Sequence, residues 1–155
     1  MKIKNSAADI IMEVLGLIML SGTPLYLFIS WPSIPDKLPM HYNFAGEIDR
    51  WGGKGEILFI VVMSWILYLM ISLVECFPSV WNTGVQVTPE NRVRVYRTLK
   101  YMVKTLKFAM TFVFTFLIFN TVAGTSLPGW FTLAYLILII GNLAFWLIRL
   151  YRVRK

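Results

Sequence analysis

Four long apolar blocks limit what this chain can fold into more than any other feature of its sequence. Each is close to the roughly 20 residues that a helix needs to cross roughly 30 Å of hydrocarbon. The blocks cover residues 10–31, 57–77, 108–127 and 130–148. Lipid cannot satisfy backbone N–H and C=O groups, so a spanning segment must be a helix or part of a closed barrel, and a barrel shows short alternating segments instead. The sequence therefore predicts an all-α membrane protein with four transmembrane helices.

Composition and the first block support one membrane domain over residues 1–155. Hydrophobic residues make up 57% of the chain and charged residues 15%, which is far from the composition of soluble domains. The first block follows a basic start but contains Glu13 and has no small-residue cleavage site before Trp31. We therefore expect it to be retained rather than removed as a signal peptide.

Lys and Arg are distributed unevenly between the connections. Three lie between the first two blocks, and the other twelve of the 15 lie in the terminal tails or between the second and third blocks. The three are Lys37, Arg50 and Lys54, and the twelve are Lys2, Lys4, Arg92, Arg94, Arg97, Lys100, Lys104, Lys107, Arg149, Arg152, Arg154 and Lys155. The side richer in Lys and Arg is normally cytoplasmic. Both termini are therefore predicted to be cytoplasmic, and the loop of residues 32–56 to lie outside a multi-pass cell membrane protein.

A basic helix is predicted over residues 89–107. Thr88 is a candidate cap, Pro89 suits a first helical position, and Glu90 adds an acid in the first turn. Apolar residues recur at spacings of three and four, and a basic stripe on another face contains Arg97, Lys100, Lys104 and Lys107. Together with Arg92 and Arg94, these are the candidate lipid- or partner-contacting residues. The helix is either continuous with the third span or bent along the membrane surface.

The basic helix is predicted to contact anionic lipid headgroups. A cytoplasmic regulator is the alternative partner. Nucleic acid is not a favoured partner, because no zinc-finger spacing or RNA-recognition motif accompanies the charge. A homodimer fits a four-helix unit, whose helices each expose much of their surface.

Two acids and two asparagines lie within the apolar blocks. Glu13 and Glu75 have similar depths in antiparallel spans, so each is expected to be hydrated, neutral or paired with a cation of the basic helix or of the C-terminal tail. A proton- or ion-coupled transporter or an accessory subunit is the functional alternative. Asn120 and Asn142 are expected to form hydrogen bonds between helices.

The loop of residues 32–56 holds most of the remaining chemistry. Its three prolines favour a stiff extended run, and its Gly and Asx residues favour tight turns, so we expect a small cap over the outer helix ends. The candidate ligand-binding or cap-structuring residues are Pro39, His41, Asn43, Gly46, Glu47, Asp49, Trp51, Gly52 and Lys54. One interpretation is a hydrogen-bonded turn network in which Asp49 pairs with Lys54 or Arg50. The other is a surface that recognises a peptide, a lipid headgroup or an envelope component.

Metal and enzyme chemistry form a further alternative. His41, Glu47 and Asp49 are weak candidates for metal ligands, because the chain has no second His. No Ser or Cys lies beside the His in a recognisable nucleophile frame. The sequence therefore predicts no metal site, no cofactor and no catalytic residues, with a membrane metalloprotein or enzyme as the alternative function.

The run from Leu38 to Lys54 resembles a signature of a bacterial membrane domain of unknown function found at the N-terminus of SdpI-type immunity proteins. The sequence LPMHYNFAGEIDRWGGK and the preceding WPSIPDK carry the likeness. The resemblance covers roughly residues 10–77. The residues at characteristic motif positions are Pro39, His41, Gly46, Asp49, Gly52 and Lys54.

This resemblance implies a role in immunity or signalling. SdpI-type proteins protect a bacterium that produces a toxic peptide, and some pass the signal to a cytoplasmic repressor. They also carry further spans after the signature domain, whereas four are predicted here. Immunity is thus an analogy, because a fold does not carry its function with it.

Overall fold

The computed structural model describes residues 3–154 and contains four helices that are long and apolar enough to cross a membrane. Lys2 and Lys155, which entered the charge count, lie outside the described residues. Helix α1 covers Ala7–Ser30, α2 Ile57–Cys76 and α3 Arg92–Ala123. The fourth helix covers Phe131–Arg152 and consists of α4 (Phe131–Leu136), a π-helical turn (Ile137–Gly141) and α5 (Asn142–Arg152).

Helix α3 is the centre of the bundle and contacts α1, α2 and α5. Its 32 residues correspond to a length of about 48 Å, which exceeds a hydrocarbon core of about 30 Å. The predicted basic helix and the predicted third span are therefore one continuous helix. Of the two placements left open by the sequence, the structure has the continuous one.

The ends of α3 differ from the predicted ends for local reasons. The helix begins at Arg92 instead of Pro89, because residues 88–91 form a turn in which the Asn91 side chain accepts a hydrogen bond from the Thr88 N–H at 2.8 Å. It stops at Ala123 instead of near Leu127, because Gly124 adopts a left-handed conformation with φ +68°. Such a glycine is a common helix terminator.

The connection between α1 and α2 contains two strands that the all-α prediction did not include. Strands β1 (Lys37–Tyr42) and β2 (Ile48–Gly53) pair antiparallel, with irregular register on both sides of His41. The Gly46 N–H donates to the Asn43 carbonyl at 2.9 Å, and Gly46 has φ +85°. A turn that ends in a left-handed glycine is a common hairpin connection. We call residues 32–56 the hairpin cap.

Apolar cores lie at the two ends of the bundle. Under the hairpin cap, side chains from α1, the cap, α2 and α3 form one core. Its members are Leu27, Ile34, Leu38, Ile57, Val61 and Ile118. At the other end, Val95, Leu99 and Leu150 join the start of α3 to the end of α5. Because α1 and α2 both run between these ends, residues near the start of α1 and the end of α2 lie far from the hairpin cap.

Candidate functional sites at the two ends of the bundle

The hairpin cap presents a histidine–aspartate pair on its exposed surface. Nδ1 of His41 in β1 lies 2.6 Å from Oδ1 of Asp49 in β2. The two side chains are 65% and 42% exposed. The pairing of Asp49 with Lys54 or Arg50 that the sequence suggested is therefore wrong, because the irregular register around His41 sets the imidazole beside Asp49.

Arg50 instead pairs with Glu56, just before α2. Its guanidinium donates to Glu56 at 2.8 Å, and the same carboxylate accepts the Gly53 N–H at 3.0 Å. A Cβ on Gly52 would come within 2.8 Å of Met40 and closer still to the Glu56 carboxylate. Gly52 thus lets the end of β2 approach Glu56. This close approach explains a glycine at position 52 without any bound ligand.

Lys54 fastens the two ends of the hairpin together. Its ammonium lies 3.0 Å from Asp36, and its backbone N–H donates to the Asp36 carbonyl at 2.9 Å. The ammonium also lies 5.6 Å from the centre of the Trp31 ring, a distance typical of a cation–π contact.

The candidate metal ligands do not come together as a set. The Glu47 carboxylate accepts from the Asn43 side chain at 2.9 Å, and the Asn43 side chain accepts the Glu47 N–H at 3.0 Å. Glu47 therefore closes the hairpin turn, whereas Asp49 bonds His41. Within residues 3–154, no three His, Cys, Asp or Glu side chains are close enough together to hold a metal ion.

The hairpin cap is docked on the end of α3, on the connection that follows it and on the start of the fourth helix. The Gly46 carbonyl accepts the Leu127 N–H at 2.8 Å, and the Thr132 hydroxyl donates to the Phe44 carbonyl at 3.0 Å. Asn120 donates to the Tyr42 hydroxyl at 3.1 Å. The contacts tie the first half of the chain to the second half and hold the cap in one orientation.

The two asparagines of the apolar blocks make different contacts. Asn142 accepts a hydrogen bond from the Thr105 hydroxyl at 3.0 Å, which links α5 to α3 as expected. Asn120 bonds Tyr42 in the hairpin cap and the Thr125 carbonyl, at 2.8 Å, rather than a second helix. Its expected interhelical bond is therefore replaced by a contact with the cap.

At the opposite end, six charged side chains from three helices form a second candidate site. We call them the charge cluster: Asp9, Glu13, Glu75, Lys100, Lys104 and Lys107. The first two lie on α1, Glu75 on α2 and the three lysines on α3.

Glu13 and Glu75 share two lysines. Lys104 lies 2.8 Å from Glu13 and 3.2 Å from Glu75. Lys107 lies 2.9 Å from Glu13 and 3.2 Å from Glu75, and its side chain is only 3% exposed. The Tyr68 hydroxyl donates to Glu13 at 2.7 Å. The sequence prediction that these acids pair with cations of the basic helix agrees with this geometry, and the acids are not paired with the described part of the C-terminal tail.

Lys100 joins the charge cluster to the start of α1. Its ammonium donates to the Asn5 side chain at 2.6 Å and lies 3.3 Å from Asp9. Asp9 also forms a capping box with Ser6, the N-cap residue of α1. Asp9 and Glu13 are four residues apart on α1, and the lysines on α3 are likewise separated by four and then three residues. That match was the sequence signal that could have placed Asp9 in the site.

The predicted lipid- or partner-contacting stripe divides into two groups. Lys100, Lys104 and Lys107 are buried against the acids, so they do not lie at the lipid- or partner-facing surface to which the stripe was assigned. Carboxylates from α1 and α2 face them, and an ion pair in the bundle costs less than an unpaired charge in lipid. Arg92, Arg94 and Arg97 are exposed, as expected for that surface.

A family comparison matches the part of the chain that contains the hairpin cap. Residues 18–64 match the family model described as "Domain of unknown function (DUF1648)". No curated protein and no solved structure matches the chain. The matched segment is less than a third of the chain. It contains just over half of α1, the whole hairpin cap and the start of α2, but no member of the charge cluster. The family likeness therefore belongs to the His41–Asp49 end of the bundle.

Proposed function

We propose that this chain is an SdpI-like multi-pass membrane protein whose hairpin cap recognises a secreted peptide or an envelope ligand, for immunity or for sensing. The observation that carries the proposal is the exposed His41–Asp49 pair on a cap docked firmly against the helices. Functional residues are often found on loops that a rigid scaffold positions.

The proposed orientation of the protein in the membrane rests on the distribution of Lys and Arg. The hairpin cap contains Lys37, Arg50 and Lys54, and the last two are paired within the cap. Lys4 and the exposed arginines of α3 and α5 lie at the other end. The positive-inside rule then favours a bacterial cell membrane in which the cap faces outward and the charge cluster faces the cytoplasm.

The chemistry of the cap suits a peptide. In the neutral tautomer that carries the hydrogen on Nδ1, His41 donates a hydrogen bond to Asp49. Nε2 is then an acceptor for a ligand N–H or O–H. Phe44 and Trp51 are 80% and 54% exposed and offer apolar contact area on the same hairpin. Aromatic side chains beside a few placed polar groups are typical of recognition surfaces.

The test is a challenge assay in a bacterium that is sensitive to the kind of secreted toxic peptide that SdpI-type proteins counter. Expression of the protein should raise survival, and His41→Ala or Asp49→Ala should remove the protection. Asp36→Asn is the matched control, because it changes an exposed acid at the far end of the same hairpin. Membrane levels of each variant are measured by immunoblot. Equal protection by wild type and His41→Ala at equal levels would remove His41 from the proposed role.

Orientation is tested separately with a thiol reagent that cannot cross membranes. Cys76 lies at the end of α2 that is remote from the cap, so intact cells should protect it and permeabilised cells should not. In a Cys76→Ser background, Ala45→Cys at the hairpin tip should react in intact cells. The reverse pattern would place the cap in the cytoplasm and rule out recognition of a secreted ligand.

A further inference from the structure

A cavity of about 530 Å³ lies beside the charge cluster, remote from the hairpin cap. Its polar wall includes Asp9, Glu13, Glu75, Lys100 and Lys104. Other parts of its wall are apolar and include Ile10 and Val14 of α1, which are about half exposed, and Trp81. The cavity therefore joins a charged interior to the apolar outer surface of the bundle.

The charges of the cluster do not by themselves select a ligand, because three acids face three lysines. The hydrogen-bond partners of the individual groups do distinguish between an anion and a cation. The Lys100 ammonium lies near the Asn5 and Asp9 side chains and near two backbone carbonyls. The Lys107 ammonium lies against two carboxylates and the Ser72 hydroxyl, and the Lys104 ammonium lies between two carboxylates.

The unsatisfied atoms of the cluster are acceptors. Asp9 is only 2% exposed, yet its Oδ1 has no hydrogen-bond partner among residues 3–154. Oε1 of Glu75 is also buried and has no hydrogen bond within the same residues, although the Lys107 ammonium lies 3.2 Å from it. A buried acceptor without a donor costs free energy, so such groups in native proteins usually have a partner.

We propose that this cavity binds a primary ammonium group whose carbon chain extends past Ile10 and Val14. An ammonium supplies several N–H donors and a positive charge to the unsatisfied carboxylate oxygens. An anion would instead face the carboxylates, which already share the Lys104 and Lys107 ammonium groups. The indole of Trp81 in the wall adds an aromatic surface that favours a cation. The group can belong to an aminophospholipid headgroup or to a small free amine.

Cys76 supplies the probe, because it is the chain's single cysteine, is exposed and lines the cavity. Purified protein in phosphatidylcholine nanodiscs is treated with aminoethyl or sulfonatoethyl methanethiosulfonate, and each rate is divided by that reagent's rate with free cysteine. The ammonium reagent should be favoured by about tenfold, the ratio given by one charge-assisted hydrogen bond. A ratio near one, or a preference for the sulfonate, would overturn the proposal.

Competition then identifies the source of the ammonium. Ethanolamine in the buffer should slow labelling by the neutral reagent methyl methanethiosulfonate, whereas tetramethylammonium, which has no N–H donor, should not. Replacing part of the phosphatidylcholine by phosphatidylethanolamine should slow labelling if a lipid headgroup enters. Protection by ethanolamine alone indicates a free amine. Absence of protection by both indicates a cavity that holds only water, and rejects the proposal.

The variant test uses Asp9→Asn with Asp36→Asn as its control. Asp9→Asn removes the charge of the buried acceptor and should lower the ammonium preference, and Asp36→Asn removes an exposed charge at the cap and should leave it unchanged. If Asp9→Asn does not fold, the wild-type competition still decides. The proposal is independent of the proposed function of the hairpin cap, because each measurement reports on Cys76 at the other end of the bundle.

Discussion

The two ends of the bundle use the same kinds of charged side chains in opposite ways. In the hairpin cap, His41–Asp49 and Arg50–Glu56 are pairs of exposed side chains within one short segment. In the charge cluster, Lys104 and Lys107 are almost fully buried and each contacts acids from two other helices. One end therefore organises a surface, and the other joins three helices.

This difference in burial predicts a difference in energy. Exposed ion pairs contribute about 0–1 kcal/mol, because water screens them and their side chains lose entropy. Removing one partner of a buried pair costs about 3–5 kcal/mol, because the other charge is left without compensation. The hairpin cap should therefore tolerate loss of a charge, whereas the charge cluster should not.

The largest expected effect comes from Lys107→Met. The change leaves Glu13 and Glu75 with Lys104 as the remaining lysine of the pair, so we expect the free energy of unfolding to fall by about 3–5 kcal/mol. Unfolding is followed in mixed micelles as the fraction of a denaturing detergent is raised. The matched change is Lys54→Met in the hairpin cap, whose ammonium pairs with one highly exposed acid and lies over the Trp31 ring, and it should cost about 1–2 kcal/mol.

A double variant separates charge from packing at this site. If an unpaired carboxylate causes the loss, then Lys107→Met with Glu75→Gln should be more stable than Lys107→Met alone. Equal losses for Lys107→Met and Lys54→Met would show that water reaches the charge cluster freely. The two ends would then not differ in the way their burial indicates.

A smaller effect is expected where the hairpin cap docks on the second half of the chain. Gly46→Ala brings a Cβ to within 3.0 Å of Leu127, and Gly46 has φ +85°. Gly124→Ala imposes a similar backbone strain at φ +68°, but no atom lies near its added Cβ. Overpacking should make Gly46→Ala less stable than Gly124→Ala by about 1–3 kcal/mol.

Thermal unfolding of the two glycine variants in detergent measures this difference. Because the Gly46 carbonyl also accepts the Leu127 N–H, Gly46→Ala should in addition make the hairpin easier to cleave by a protease. Equal stability and equal cleavage of the two variants would mean that the cap is not held by its tip. The cap would then be a weaker scaffold for recognition than the structure indicates.

Hydrophobicity alone predicted the four helices, because each span is a long apolar run such as that of α2. The hairpin was missed because β1 contains Pro39 and β2 ends in Gly52 and Gly53, which are residues depleted in strands. The turn of the hairpin also packs on a distant part of the chain, through the hydrogen bond between Gly46 and Leu127. No local pattern encodes that contact.

The charge cluster shows a second limit of sequence reasoning. Periodicity placed Lys100, Lys104 and Lys107 on one face of α3 correctly, but it left open whether that face meets lipid headgroups or the acids of the other helices. Polar faces point outward in soluble helices, whereas in a membrane bundle they turn inward when partners are present. Deciding between the two needs the positions of Asp9 and Glu13 on α1, which depend on how the helices pack.

The smallest expected effect on stability is at the candidate recognition site itself. His41→Ala and Asp49→Ala remove one exposed pair, so each should lower the free energy of unfolding by about 1 kcal/mol or less. Denaturing-detergent titrations of both single variants and the double variant measure the coupling between the side chains. A coupling well above this range would make the pair a structural fastener of the hairpin, and loss of protection in the challenge assay would then report misfolding. A small coupling together with lost protection would instead separate stability from function, as expected for a pair retained for recognition.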